Sequence, residues 1–518
     1  MRFLIRAAVL AALFHLGLPA MAPAQDVTLT SRDGAFAVSG TLLSFDGEFY
    51  RVDTVYGPLT LDSQGVICTG PGCPDMEAYV ARFTLSGSPA LGAVLMPALI
   101  EAHAARRGLQ LTRTAAGKGL TLFRLSDREH GHLVAEIGLR LGSTDEGFAD
   151  LVAEEADIVM AAREPFAQEL RRAREAGLGD LSQPERRHVV ALDAIVPVVA
   201  PGHPVQALEI ADMIALLRGD ITDWSALNGP EAPVSVHLLG ARDGLQQAAA
   251  RRLLGDTPPA EGARRHPDAR TLDRAVARDP LGLGLTRHSA TRAARQLPLI
   301  GGCGMRLLAT RETIKTEDYP FVAPLFLYTP ARRLPLFARE FLDYLQSPTA
   351  QLVVRRAGFV DLMRDRIPLR QQGDRLAQAI STAGTEVPLS ELKRLVRILD
   401  GAERLTSTFR FRNGATELDA QSHANVAALA RALEAGLFNG RTLIFVGFTD
   451  GAGAATVNRR IARDRAEAVR DAVRARATAA DPAAVALRVA AFGEALPIAC
   501  DQSDWGGLIN RRVEVWLR

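Results

Sequence analysis

FVGFTDGAGAATVNRRIARDR, residues 445–465, decides how the C-terminal part of this chain is read. Leu443 to Val446 is a short apolar run. A Gly447-Phe448-Thr449-Asp450 turn follows, then a Gly-rich loop, and a helix opens near Asn458. Asp450 leaves the end of the strand, and Arg465 lies two turns into the helix. A carboxylate and a guanidinium converging on one crevice can hold a zwitterion. The acid takes its ammonium and the Arg its carboxylate in a fork. The same residues admit a plainer role, with Asp450 capping the helix and Arg465 in a surface ion pair.

With Asn510-Arg511-Arg512-Val513-Glu514-Val515, this stretch resembles the OmpA-like peptidoglycan-binding domain. The family pattern is a Gly-His-Thr-Asp turn, an Asn eight residues after the Asp, an Arg fifteen after it, and a final Asn-Arg-Arg-Val. Here those positions are Asp450, Asn458, Arg465 and Asn510 to Val513. The resemblance spans about residues 400–518 and implies an α+β domain in βαβαβ-β order. It further implies that Asp450 and Arg465 grip the diaminopimelate of a peptidoglycan stem peptide, with Asn458 and Arg511 supporting the pocket. Phe448 stands where the family usually has His, and Arg412 where it often has an acid.

A chain of 518 residues is too long for one core, and three or more domains are expected. Apolar content of 47% and charge of 23% are ordinary for globular protein. The net charge of +2 provides no electrostatic case for nucleic acid or anionic membrane. Residues 1–24 read as a secretory signal peptide: Arg2 and Arg6, the apolar Ala7–Leu18, and an Ala22-Pro23-Ala24 cleavage site. No later apolar run reaches the length of a membrane span. Export together with implied peptidoglycan binding places the chain in a Gram-negative periplasm, associated with the cell wall. That compartment permits disulfides. Cys68 and Cys73 bracket Thr-Gly-Pro-Gly and close a small loop. Cys303 and Cys500 either pair by elimination or remain two buried thiols.

Residues 25–79 alternate apolar and polar between Asp-Gly and Tyr-Gly-Pro turns, which predicts a β module of about four strands. Its size suits a local disulfide, and it contains no chemistry. Residues 80–365 alternate strand and helix signals, an α/β pattern long enough for two lobes. The segments SGSPALGAVLMPALIEAHA, ADIVMAAREP, ITDW at 221–224, DPLGLGLT and KTEDYPFVAPLFLYTP occur in the order seen in a phosphate-type periplasmic solute-binding protein of ABC transporters. This resemblance implies a periplasmic-binding-protein fold of the second type. It also implies a small anion held by helix N-termini, at Ser86, Gly87 and Ser88 and at the Arg242-Asp243-Gly244 loop, with Arg163 adding charge. An ABC transporter or another envelope protein is the implied partner. Ala161-Ala162 and Asp243-Gly244-Leu245 stand where the family has hydroxyl donors. Ser86 and Ser88 also read as helix caps. Residues 366–400 form a helical linker, and residues 401–518 the last domain.

Glu129-His130-Gly131-His132 lacks a third metal ligand, and Ser390-Glu391-Leu392-Lys393 lacks the companions of a penicillin-recognising site. Neither a metal nor a cofactor is expected, and nothing supplies a nucleophile with a base. The expectation is a non-enzymatic, wall-anchored anion-binding protein. The alternative is a wall-tethered interaction scaffold whose middle domain has lost its ligand.

Overall fold

The computed structural model describes residues 26–518 apart from 77, 118, 241–242, 302, 412–416 and 502–503. The expected signal peptide, Arg242 and Arg412 therefore lie outside the described residues.

The N-terminal module is an antiparallel sheet of five strands, one more than expected: Asp26–Ser31, Ala37–Phe45, Phe49–Thr54, Gly57–Asp62 and Val66–Thr69. Its core is only Val27, Leu29, Tyr50, Val52 and Val66, and Cys68–Cys73 closes a loop beside it. Such a core is too small to stand alone, and the module leans on its neighbour. Glu48 accepts hydrogen bonds from Arg333 (2.6 Å) and Arg339 (2.8 Å), and the Asp46 carbonyl caps the start of the helix Leu336–Leu345 through the Leu336 N–H at 2.7 Å.

The middle region is built on one mixed sheet of eleven strands that runs through two lobes. In the first lobe Ala81–Gly87 lies parallel to both Leu133–Leu141 and Ile158–Ala161. In the second, Ser235–Leu239 lies parallel to Arg264–His266 and Gly282–Arg287. Two antiparallel strands, Arg187–Val199 and Val322–Tyr328, pass between the lobes. The first is buried at nearly every position, as expected of a strand covered on both faces.

The C-terminal sheet has the order Arg366–Pro368, Glu403–Arg410, Arg512–Leu517, Thr442–Phe448, Ala486–Ala491. The helices Ala420–Glu434 and Ala455–Arg476 cover one face. Leu389–Leu399 covers the other, packing Leu392, Leu395 and Leu399 against Ile444, Val446 and Trp516. The segment expected as a linker thus supplies an edge strand and the second layer of this sheet. It also accounts for Phe448. That side chain is 1% exposed in the covered face, stacks with Phe492 at 6.2 Å and lies under the Arg512 guanidinium at 4.3 Å.

The C-terminal domain is joined to the second lobe. Cys303 and Cys500 form a disulfide, which decides between the two readings of these thiols. Arg404 makes a two-pronged bond to Asp318 (2.7 and 2.9 Å), and its Nε lies 3.4 Å from Glu514, which also pairs with Arg512 and Arg375. Burial pushes the Glu514 carboxyl up, but Arg375, Arg404 and Arg512 together hold it far below the usual carboxylate range.

Candidate functional site

The strand Thr442–Phe448 is buried between two neighbours and delivers Asp450 to the open end of the sheet. The Asp450 carboxylate pairs with Arg511 Nη1. Gly507 makes room for that pair, because a Cβ there would sit 3.2 Å from both the Arg511 nitrogen and Asp450 Oδ2. Asp450 does not cap the following helix. The N-cap position is Ala454, and the first N–H of the helix, that of Ala455, donates to Glu386 at 3.1 Å.

Arg465 is half-buried on the helix Ala455–Arg476, with its guanidinium 5.3 Å from the Phe411 ring centre. Its Nη1 is buried without a hydrogen-bond partner among the described residues. Burial, followed by the positive charge of Arg511, pushes its pKa down, while Asp450 pulls the other way. Arg465 thus shares a field with Asp450 and Arg511, and its free donor can meet a ligand carboxylate. Asn458, 3% exposed, donates to Glu494 at 3.1 Å.

Three acids absent from the sequence expectation crowd the same mouth. Asp501 accepts from the Gly451 N–H (2.8 Å) and from Asn510 (2.7 Å). Glu494 is pushed up by burial, with Glu386, Asp501 and Asp450 adding to the rise against the Asn458 hydrogen bond. A cavity of about 380 Å³ opens beside them, lined by Gly451, Glu494, Asp501, Thr382, Gly384 and Val387. Surplus negative charge there favours a cationic group. No spacing in the sequence connects Glu386, Glu494 and Asp501; only the loop geometry does.

In the middle domain a short turn and two helix N-termini meet. Ser88 caps the short turn Pro89–Gly92, Thr144 opens the helix Thr144–Val152, and Gly244 opens Gly244–Leu253. A Cβ on Gly244 would sit 2.7 Å from Thr144 Oγ1, 3.0 Å from Ser88 Oγ and 3.4 Å from Ala162. Ser88 accepts from the Ala90 N–H and Thr144 from the Ala162 N–H, so each hydroxyl keeps a hydrogen to donate. Thr144 was not among the expected residues. Ser86 instead donates to Asp150 at 2.5 Å. Gly87, at φ +133°, lies so close to the Met160 carbonyl that no Cβ fits. Arg163 is held by Asp145 and by both oxygens of Glu169 (2.7 and 2.8 Å). Asp243 accepts from the Gln246 N–H at 3.1 Å and lies 3.9 Å from Arg287. Ser88 and Gly244 are therefore brought together, while Ser86 and Arg163 have other partners.

Residues 135–349 match the family model of the PBP superfamily domain, and residues 410–506 that of the OmpA family. No curated protein matches the chain. Similar solved structures include a phosphate ABC transporter substrate-binding protein with bound phosphate from Clostridium perfringens, at 18% identity and a TM-score of 0.42, covering 54% of this chain and 100% of that one. An ABC-type phosphate transport receptor from Vibrio cholerae has 16% identity and a TM-score of 0.42, covering 54% and 99%. The peptidoglycan-associated lipoprotein from Burkholderia pseudomallei has 22% identity and a TM-score of 0.19, covering 21% and 89%. Behind its N-terminal antiparallel module, the chain carries a PBP superfamily domain followed by an OmpA family domain.

Proposed function

We propose that this is a periplasmic protein of the Gram-negative envelope, held to peptidoglycan by its C-terminal domain. The observation that carries the reading is the shared mouth of Asp450, Arg511 and Arg465, with a buried guanidinium nitrogen left without a partner. Diaminopimelate in a stem peptide presents an ammonium beside a carboxylate. The acids Asp450, Glu494 and Asp501 suit the first, and Arg465 suits the second. The test is sedimentation of the secreted chain with purified sacculi. Asp450→Ala with Arg465→Ala should lower the bound fraction at least about tenfold; unchanged sedimentation refutes the reading.

In the middle domain we propose a small, compact anion at the meeting point of the Ser88 turn, Thr144 and Gly244, where the N-termini of two helices and two hydroxyls converge. One observation favours the second reading, a scaffold without solute. Gly244 approaches Ser88 and Thr144 closely, and Ser86 and Arg163 are engaged elsewhere. Calorimetry of the whole secreted chain with inorganic phosphate and sulfate separates the two. Micromolar binding, about 8 kcal/mol, supports the receptor, and absence of heat supports the scaffold.

A further inference from the structure

A second cavity, of about 350 Å³, lies where the two lobes meet the C-terminal domain. Ser86, Ser88 and Gly244 are not among its lining residues, but Ala162 and Arg163 are, so it adjoins the expected anion site on the side of the C-terminal domain. The lobes contribute Ile195, Leu253, Phe321 and Phe326 as apolar wall, and the C-terminal domain closes it with Phe411, Gln421 and Ile509. A cavity lined only by such groups would need no ligand. This one contains polar atoms that the protein leaves unsatisfied.

Glu317 is 8% exposed, and its Oε1 has no hydrogen-bond partner among the described residues. Its other oxygen faces Arg410 Nε at 3.4 Å. Gln421 is 5% exposed, and its Oε1 is likewise unpartnered. Both residues line the cavity, and a buried polar atom left without a partner is costly. On the lobe side, Arg163 Nε is a buried donor without a partner. Arg252 lines the same space, its guanidinium 5.6 Å from the Phe321 ring centre, and has no carboxylate partner among the described residues. The cavity thus offers acceptors for an ammonium, cationic donors for a carboxylate, and apolar surface between them.

We infer that this interdomain cavity binds a small zwitterion of the free amino acid class. Its ammonium meets Glu317 and Gln421, and its carboxylate meets Arg252. The volume lies at the lower end of ordinary ligand pockets, which suits one amino acid. Because Gln421 belongs to the C-terminal domain, the bound molecule would bridge that domain to the second lobe.

The protonation of Glu317 offers an independent readout. Burial pushes its carboxyl up to about 8, with Asp419 and Asp318 adding to the rise and Arg410 opposing it. At neutral pH the free protein therefore holds a proton there, which a bound ammonium would displace.

The experiment is calorimetry on the whole secreted chain with glycine, L-alanine, L-leucine, L-glutamate and L-lysine, each in buffers of different ionisation enthalpy. The expected result is saturable binding of at least one, with about one proton released. Ala248→Phe, which fills the cavity from the lobe side, should weaken binding at least about tenfold. Gln421→Leu, which removes an acceptor at constant size, should weaken it as well and serves if the first variant does not fold. No saturable heat with any of the five overturns the inference, as does equal binding by both folded variants. Sedimentation with sacculi and titration with phosphate read the other two sites, so failure here is distinguishable from failure there.

Discussion

At the residue scale, the groups of interest are those whose chemistry conflicts with their surroundings. Glu317 is the sharpest case. In the folded chain its carboxyl keeps a proton up to pH about 8, while in the unfolded chain it ionises near 4.5. Between those values the unfolded state has shed a proton that the folded state retains. Stability from this group therefore falls as pH rises from 4.5 to 8 and is level above that. Glu317→Gln should accordingly stabilise the protein more at pH 8.5 than at pH 4.5, by about 2–4 kcal/mol, read from denaturant midpoints at the two values. Phe448 makes the opposite point, since there the residue suits its place. With Phe492 and Arg512 packed on its ring, Phe448→His should cost about 1–3 kcal/mol in thermal or chemical denaturation. A cost near zero would mean that the covered face does not decide this position.

At the scale of elements, the strand–turn–helix of residues 442–476 positions Asp450 and Arg465, but its neighbours complete the site. The strand Ala486–Ala491 runs parallel beside it and hands on Glu494. Arg512–Leu517 runs antiparallel and places Arg511 against Asp450. The loop before Leu389–Leu399 brings Glu386 to the helix N-terminus. The strand Glu403–Arg410 is fastened to the second lobe by Arg404, whose guanidinium is fully buried against Asp318 and Glu514. Removing one partner of a buried set strands the other charges. Asp318→Asn should therefore cost about 3–5 kcal/mol in a denaturant titration. Replacing Arg404 and Asp318 together by apolar residues should cost less than the single change. The reverse order would show that the pair, and not the stranded charge, carries the energy.

At the scale of the molecule, three units are fastened end to end. The N-terminal sheet leans on helix Leu336–Leu345 through Arg333 and Arg339. The C-terminal domain is clamped to lobe two by Cys303–Cys500, which closes a span of 197 residues. In the chain-entropy account a loop of that size is worth up to about 5 kcal/mol. Cys303→Ser with Cys500→Ser should lower the denaturation midpoint accordingly. It should also make the connection at residues 361–365, which leads into the edge strand Arg366–Pro368, more open to limited proteolysis. An unchanged midpoint with unchanged proteolysis would show that the ion network alone holds the domains. The clamp also bounds the cavity beside Asp501 and Glu494, since both cysteines line it, so the double variant bears on the proposed sacculus binding too.

By itself the sequence determined the order of parts and the α/β and α+β character of the two larger domains, and its resemblance to the OmpA-like pattern pointed to Asp450, Asn458, Arg465 and Arg511 as a candidate site. The fold character is written in short-range signals, apolar runs, Gly-rich turns and helix periodicity within a few residues of one another, whereas the site positions followed only from the family pattern. Only the tertiary structure decided that Glu386, Glu494 and Asp501 surround Asp450, and that residues 366–400 belong to the last sheet. It alone placed Gly244 against Ser88 and Thr144, and set Glu317 and Gln421 on one cavity. The reason is that these groups lie in loops far apart in the chain. Their meeting depends on strand order and on how the domains dock, which local patterns do not encode.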